Sequence, residues 1–443
     1  MAAKKPPAEV RPTDLTLHSY KVGFGDCFLL TFHYPNFDRN LLIDFGTMRV
    51  PEGKNESAHM LAIAKRIKED CSGKLHAVVA THRHKDHISG FALNNTQGDS
   101  LIGELNPDLV IQPWTEDPKA QKDATHPTSK SGNKRVHARR QHLCSLRDMN
   151  RFADHVEQTS KHLRGRHLEA TRSQLQLLGK DNGVPNPIAV GNLEKMGKRH
   201  RYVYSKSKSG LERLLPGVTT HVLGPPTLDQ TDSIRQQRRS DKNQFWYLAD
   251  ERAKFWAKQG RIAQSGAGDS STLFPDYIAT RKPWDMRWYR YQAQREQADN
   301  LLSIVRVLDK AMNNTSVILL FETANKSLLF PGDAQYENWM YALSDPDAVA
   351  RLKKVDLYKV GHHGSLNATP KDLWHGFTSR GGKLKAGRLT TVLSTLDHVH
   401  GTETAETEVP RSTLVKALDK ESTLQDTRNI SDNELSSITR LKL

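Results

Sequence analysis

The sequence predicts an α+β fold with two β-rich halves, interrupted by two basic, helical insertions. Three observations predict it. Short apolar runs separated by turn residues open each half, at 15–46 and at 316–330, and each set leads to a further strand and a polar loop carrying His or Asp. At about 115–213 and 228–300 the pattern changes to polar and basic segments, the first with apolar residues at helical spacing. With 443 residues and 36% apolar content, the chain is long enough for a core of some size. The main domain is expected over 14–419, with 420–443 as a polar C-terminal tail.

Residues 1–13 read as a disordered, proline-containing lead. A strand then runs to about Val22, a tight link follows at Gly23-Phe24-Gly25-Asp26, and a second strand starts at Cys27. The two glycines permit the sharp reversal. A third strand, from Leu41, ends at Asp44-Phe45-Gly46, which completes a meander. Asp44 at that strand end suits either a turn cap or the orientation of a metal ligand. Residues 56–70 fit an amphipathic helix with Met60, Ile63, Ala64 and Ile67 on one face.

The next strand, 76–80, runs into Thr81-His82-Arg83-His84-Lys85-Asp86-His87. Imidazole nitrogen and carboxylate oxygen are good ligands for zinc and similar divalent ions. His82 and His84, two apart on an irregular loop, can face one metal. Asp86 and His87 can then turn to a second metal or to an attacking water. A further strand is expected at 109–114.

In the first insertion, Lys134, Arg135, Arg139, Arg140, Lys161, Arg164 and Arg166 lie among apolar residues at helical spacing, as in basic amphipathic helices. The second carries Trp284, Trp288, Tyr289 and Tyr291 beside Arg281, Arg287 and Arg290. Such aromatics either anchor an insertion to its domain or stack bases. After an apolar helix at 301–310 come a hairpin at 316–330, Pro331-Gly332-Asp333-Ala334, a helix around 337–353 and a strand at 355–360. Gly361-His362-His363-Gly364-Ser365 follows, then a last strand at 389–394 and a loop with Asp397, His398 and His400.

A net charge of +15 points to a polyanionic partner, nucleic acid above all. Three widely spaced cysteines indicate neither a disulfide framework nor a cysteine metal site, which suits a reducing compartment. No run approaches the ~20 apolar residues of a membrane span, and the N-terminal stretch has no apolar core of a signal peptide. A soluble, cytoplasmic protein with no membrane partner is the expectation.

Taken together, the His82-x-His84-x-Asp86-His87 motif after a strand, Val22-Gly23-Phe24-Gly25-Asp26 leading to Asp44-Phe45-Gly46, Asn313-Asn314-Thr315-Ser316 opening a strand, Pro331-Gly332-Asp333-Ala334, and Lys359-Val360-Gly361-His362-His363-Gly364-Ser365 resemble the metallo-β-lactamase superfamily. The details are similar to the branch containing the hydrolase domain of the competence protein ComEC. The resemblance covers roughly 15–114 and 215–405. It implies a four-layer αββα sandwich with two divalent ions, zinc or manganese, at one edge. It implies His82 and His84 on one ion, Asp86 and His87 on the other, and Asp333 as a bridge. One of His362 and His363 would close the second site and the other contact substrate oxygen. The assignment carried forward is His363 as ligand and His362, with Asp86, as catalytic; His400 is an alternative closing ligand. Asn313-Asn314 stands where most binuclear members carry a His, which implies a weaker first site, for which His221 is a candidate replacement.

Such a pair of ions lowers the pKa of a shared water and clamps the oxygens of an ester. Asp86 would orient the attacking water or accept its proton. The leading expectation is therefore a metal-dependent phosphodiesterase, a nuclease by its charge. The alternatives are a hydrolase of a small phosphoester or other small ester, and a non-catalytic nucleic-acid-binding module. This chain lacks the membrane channel of ComEC proteins, which argues against a role in DNA uptake itself.

Overall fold

In a computed structural model, residues 10–118, 187–227, 313–365, 369–401 and 408–443 are described, with the isolated positions 169, 171, 172, 175 and 230. The chain divides into two compact units. The first comprises Met1–Arg140, Pro185–Thr231 and Lys310–Leu443, and all described strands belong to it. The second, Gln141–Val184 with Asp232–Asp309, draws on both expected insertions and lies almost wholly outside the described residues. The basic stretches at 134–140 and 161–167, the aromatic and arginine residues at 281–291 and the helix expected at 301–310 also lie outside them.

The first unit is mixed α/β with two mixed sheets. β1 (Asp14–Tyr20), β2 (Cys27–His33) and β3 (Asp38–Phe45) form the antiparallel meander that the glycine links predict. Helix α1 (Glu56–Asp70) has the predicted bounds and buries Met60, Ile63, Ala64 and Ile67. Asn55 caps it, its side chain accepting from the Ala58 N–H. β4 (Ala77–Val79) then pairs parallel with β3, helix α2 (Lys85–Ile88) follows, and β5 (Leu109–Pro113) pairs parallel with β4. After helix α3 (Pro187–Lys195), β6 (His200–Val203) pairs parallel with β5.

The second half repeats this plan. β7 (Thr219–Gly224), β8 (Ile318–Glu322) and β9 (Ser327–Phe330) are antiparallel neighbours. Helices α4 (Tyr336–Leu343) and α5 (Pro346–Leu352) lead to β10 (Leu357–Lys359), parallel to β9. Helix α6 (Lys371–Gly376), β11 (Thr390–Leu393), helix α7 (Ser412–Glu421) and β12 (Thr423–Asp426) continue the parallel run. β13 (Ser436–Lys442) then returns to pair antiparallel with β1. The resulting orders are β13-β1-β2-β3-β4-β5-β6 and β12-β11-β10-β9-β8-β7.

Three differences from expectation have local causes. Residues 187–213, expected within the first insertion, supply α3 and β6; β6 is a half-exposed edge strand and so has no apolar run to announce it. Residues 420–443, expected as a polar tail, supply an edge strand to each sheet, because edge strands carry polar residues on their open face. The single helix expected at 337–353 is two helices, since Pro346 cannot continue α4 and instead starts α5 behind an Asp345 cap.

Burial follows the strand period. Alternate residues of both sheets meet in one cluster, including Leu17, Phe28, Leu30, Phe32, Ile43 and Val79 from the first sheet and Leu319, Phe321, Phe330 and Val392 from the second. Phe28 packs edge-on to Phe330, with centroids 6.0 Å apart. The opposite face of the first sheet joins residues of α1 and α3 in a second cluster. The opposite face of the second sheet joins residues of α4 to α7 in a third.

Candidate metal centre

The chemistry-bearing loops leave β3, β4, β9 and β10 at their C-terminal ends, where parallel strands present open loops. Two backbone hydrogen bonds tie the loop after β4 to the residue before β8 and to the link between β1 and β2. The Val317 N–H donates to Thr81 O at 3.0 Å, and the Asp26 N–H donates to Asp86 O at 2.9 Å.

Within this cleft, Asp86, His87, Asp333 and His363, all buried, offer one ligand atom each within 4.8 Å of one another. His82, His84 and Asp86 form a second such group that shares Asp86 with the first, and Asp26, Asp44 and His87 form a third that shares His87. All six sequence-predicted metal ligands are thus brought together. Nε2 of His363 stands 2.9 Å from Oδ2 of Asp86 and 3.4 Å from Oδ2 of Asp333. Nε2 of His87 stands 3.0 Å from Oδ2 of Asp333. Nε2 of His82 lies 3.1 Å from Nδ1 of His84.

The buried atoms Oδ1 of Asp86, Nε2 of His87 and Oδ2 of Asp333 make no hydrogen bond. Nε2 of His87 and Oδ2 of Asp333 face each other as an ion pair, and Oδ1 of Asp86 lies 3.9 Å from that same nitrogen, so these atoms converge on one point where a cation could take them as ligands. Two nitrogens and two carboxylates suit a divalent ion such as zinc or manganese. The residues present could therefore hold a metal ion.

Neighbouring groups orient the rings. Nδ1 of His87 donates to Oδ2 of Asp44 at 2.7 Å, and Nδ1 of His363 donates to the Ser394 carbonyl at 3.0 Å. Both rings thereby turn Nε2 into the cleft. Asp44 also accepts from the Thr81 N–H and hydroxyl, each at 2.7 Å, and holds a left-handed φ of 56°. It thus both caps the Thr81 backbone at the strand ends and orients the His87 ring. Burial pushes the His82 imidazole well below the usual histidine range, helped by His87 and His84, and so keeps it in the neutral, ligating form. Burial alone would do the same to His87, but the carboxylates of Asp333, Asp44 and Asp86 hold it well above that range. In Asp333, burial is outweighed by His87, His363 and Lys359, which keep the carboxylate ionised.

Asp44→Asn is expected to weaken divalent-ion binding by about 10–100-fold, as measured by calorimetric titration. Both Asp44 oxygens face donors, so the amide NH2 must oppose either the Thr81 N–H or the pair formed by His87 and the Thr81 hydroxyl.

The other candidates lie elsewhere. His362 is half-buried beside the cleft, with its Nδ1 2.8 Å from the Ser365 hydroxyl and its Nε2 3.5 Å from Nδ2 of Asn313. It joins none of the three ligand groups, but its backbone N–H donates to Oδ1 of Asp333 at 3.1 Å. His400 packs its ring 5.0 Å from Phe24 and is absent from all three groups. His221, the candidate replacement ligand, instead sits on β7 with Nε2 2.7 Å from Oε2 of Glu322. It does not stand in for the missing histidine.

No protein-family model matches this chain, and no curated protein matches it.

Sequence reasoning passed over two residues. Lys359, inside the apolar strand run 355–360, is buried and forms an ion pair with buried Asp26. A lysine in such a run is a signal in itself, because a fully buried ammonium requires a carboxylate partner. Among the described residues, no helix is long and apolar enough to cross a membrane.

Proposed function

We propose that this chain is a metal-dependent phosphodiesterase of the metallo-β-lactamase type, a nuclease in substrate class, working with two divalent ions. The observation that carries the reading is the buried Asp86, His87, Asp333 and His363 set, whose ligand atoms converge within 4.8 Å of one another. Support also comes from the two sheets of matching strand order, which suit a four-layer αββα sandwich. The ComEC-like motif series and the net charge of +15 favour a phosphodiester polyanion as substrate.

When bound, zinc or manganese would supply Lewis acidity and lower the pKa of a water. His82 and His84 would hold one ion; Asp86, His87 and His363 would hold the other; Asp333 would serve both. The first site lacks a third histidine, so it is the weaker of the two. Asp86 has one oxygen against His363 and the other without a hydrogen bond, so it can orient a water and take its proton. His362, beside the cleft, would donate to a substrate oxygen.

A substrate panel tests the proposal. The purified chain with zinc or manganese is expected to cleave DNA or RNA and a chromogenic phosphodiester. Cleavage of the small ester alone would replace the nuclease reading with that of a small-phosphoester hydrolase. Binding of nucleic acid with no cleavage in any metal would leave a binding module.

A further inference from the structure

Lys359 lies at the end of β10 with its ammonium in the wall of the cleft, 1% exposed. Its Nζ contacts a carboxylate oxygen of Asp26, donates to the Gly332 carbonyl at 3.1 Å and donates to Oδ1 of Asp333 at 3.4 Å. Asp26 is itself anchored. Its N–H donates to Asp86 O, and its carbonyl accepts from the Gly46 N–H at 3.1 Å. Its carboxylate also lies 3.6 Å from Nδ1 of His363 and 3.7 Å from Nδ1 of His87.

A fold does not need this pair. Burying a lysine is expensive, and an apolar side chain opposite a neutral partner of similar volume often stabilises as well or better. Nor does a fixed cation next to a dication site help by charge, since like charges repel. What the ammonium does have is a specific grip on one oxygen. Oδ1 of Asp333 accepts from Lys359 Nζ and from the His362 N–H, while Oδ2 faces Nε2 of both His87 and His363.

We propose that Lys359, anchored by Asp26, is a positioning residue for the metal centre: it occupies Oδ1 of Asp333 and so commits Oδ2 alone to the metals. The inference rests on the metal-dependent reading above. A carboxylate held in this way presents a single atom that two ions can share. A freely rotating one would chelate a single ion with both oxygens and leave the other site poorer.

The double variant Lys359→Met/Asp26→Asn tests it, because it removes one charge of each sign and leaves the net charge of the centre unchanged. Circular dichroism and thermal melting establish that it folds. Titration with Mn2+, followed by calorimetry and electron paramagnetic resonance, then reads affinity and stoichiometry. The expected result is Mn2+ binding at least about tenfold weaker than wild type, with the second equivalent lost first. A folded double variant that binds two equivalents as wild type does would overturn the proposal. If the double variant does not fold, the crystal structure of the Mn2+-loaded wild-type chain decides. Asp333 is expected to ligate through Oδ2 only, with Oδ1 still on Lys359; bidentate ligation, or Oδ1 released from Lys359, would overturn it. No Mn2+ or Zn2+ binding by the wild-type chain overturns the hydrolase reading and this inference together, whereas wild-type binding matched by the double variant overturns the inference alone.

Discussion

Asp333→Asn is expected to reduce metal-dependent hydrolysis by at least about 10³-fold, roughly 4 kcal/mol of transition-state stabilisation, with the circular dichroism of the chain unchanged. The substitution is nearly isosteric, so packing is preserved. Its chemistry is not. Oδ1 faces two donors, Lys359 Nζ and the His362 N–H, so the amide must keep its oxygen there. The NH2 then falls where Oδ2 had been, within reach of Nε2 of His87 and His363. An amide NH2 carries hydrogens and no lone pair for a cation. Calorimetric titration should report the loss of at least one divalent equivalent beside the loss of turnover. His84→Ala removes a ligand of the other group and should also abolish activity in a folded chain. Wild-type turnover in both variants would sink the metal-centre assignment.

Gly46→Ala is the second large effect. A Cβ at this position would lie 2.5 Å from the Asp86 carbonyl carbon and the His87 nitrogen, and 2.6 Å from the His87 carbonyl carbon. All three are backbone atoms, so no side chain can rotate away. Either the end of β3 or the start of α2 must shift, and α2 carries Asp86 and His87. A displacement on the order of 1 Å at a catalytic constellation costs about 10²-fold in rate. The expected result is a rate loss of that order, a lowered melting temperature and weaker ion binding. Gly191→Ala is the matched control. It lies in α3, where an added Cβ would meet nothing within 4 Å, and it should be neutral or stabilising by up to ~1 kcal/mol. Equal behaviour of the two variants would refute the close-approach argument.

Much of the site was legible because its residues are chemically conspicuous. Three imidazoles and a carboxylate within residues 82–87 have few packing explanations. The bounds of α1 were legible because Asn55 caps it and its apolar face recurs at helical period. Choosing between His362 and His363 was not a sequence problem at all. Both follow one strand, and the left-handed turn there, with φ of 42° and 50°, buries one ring and leaves the other half-buried. The Lys359–Asp26 pair joins residues more than 300 positions apart, and no local pattern reports such a contact. β6 and β13 were missed because half-exposed edge strands look like loops until their partner strands are known.

The matching halves of the first unit carry a consequence for how the chain matures. Asp86 and His87 come from the first half, and Asp333 and His363 from the second, so neither half can assemble the four-residue set alone. Ion uptake would therefore report docking of the halves, and would also drive it. At a free ion concentration 100 times Kd, one such ion adds about 2.7 kcal/mol to the assembled state. A chain nicked between β6 and β7 should regain binding only as its fragments reassociate. Ions bound at this set would act as a reversible clasp, and a chelator is then expected to open the chain along the seam between the halves.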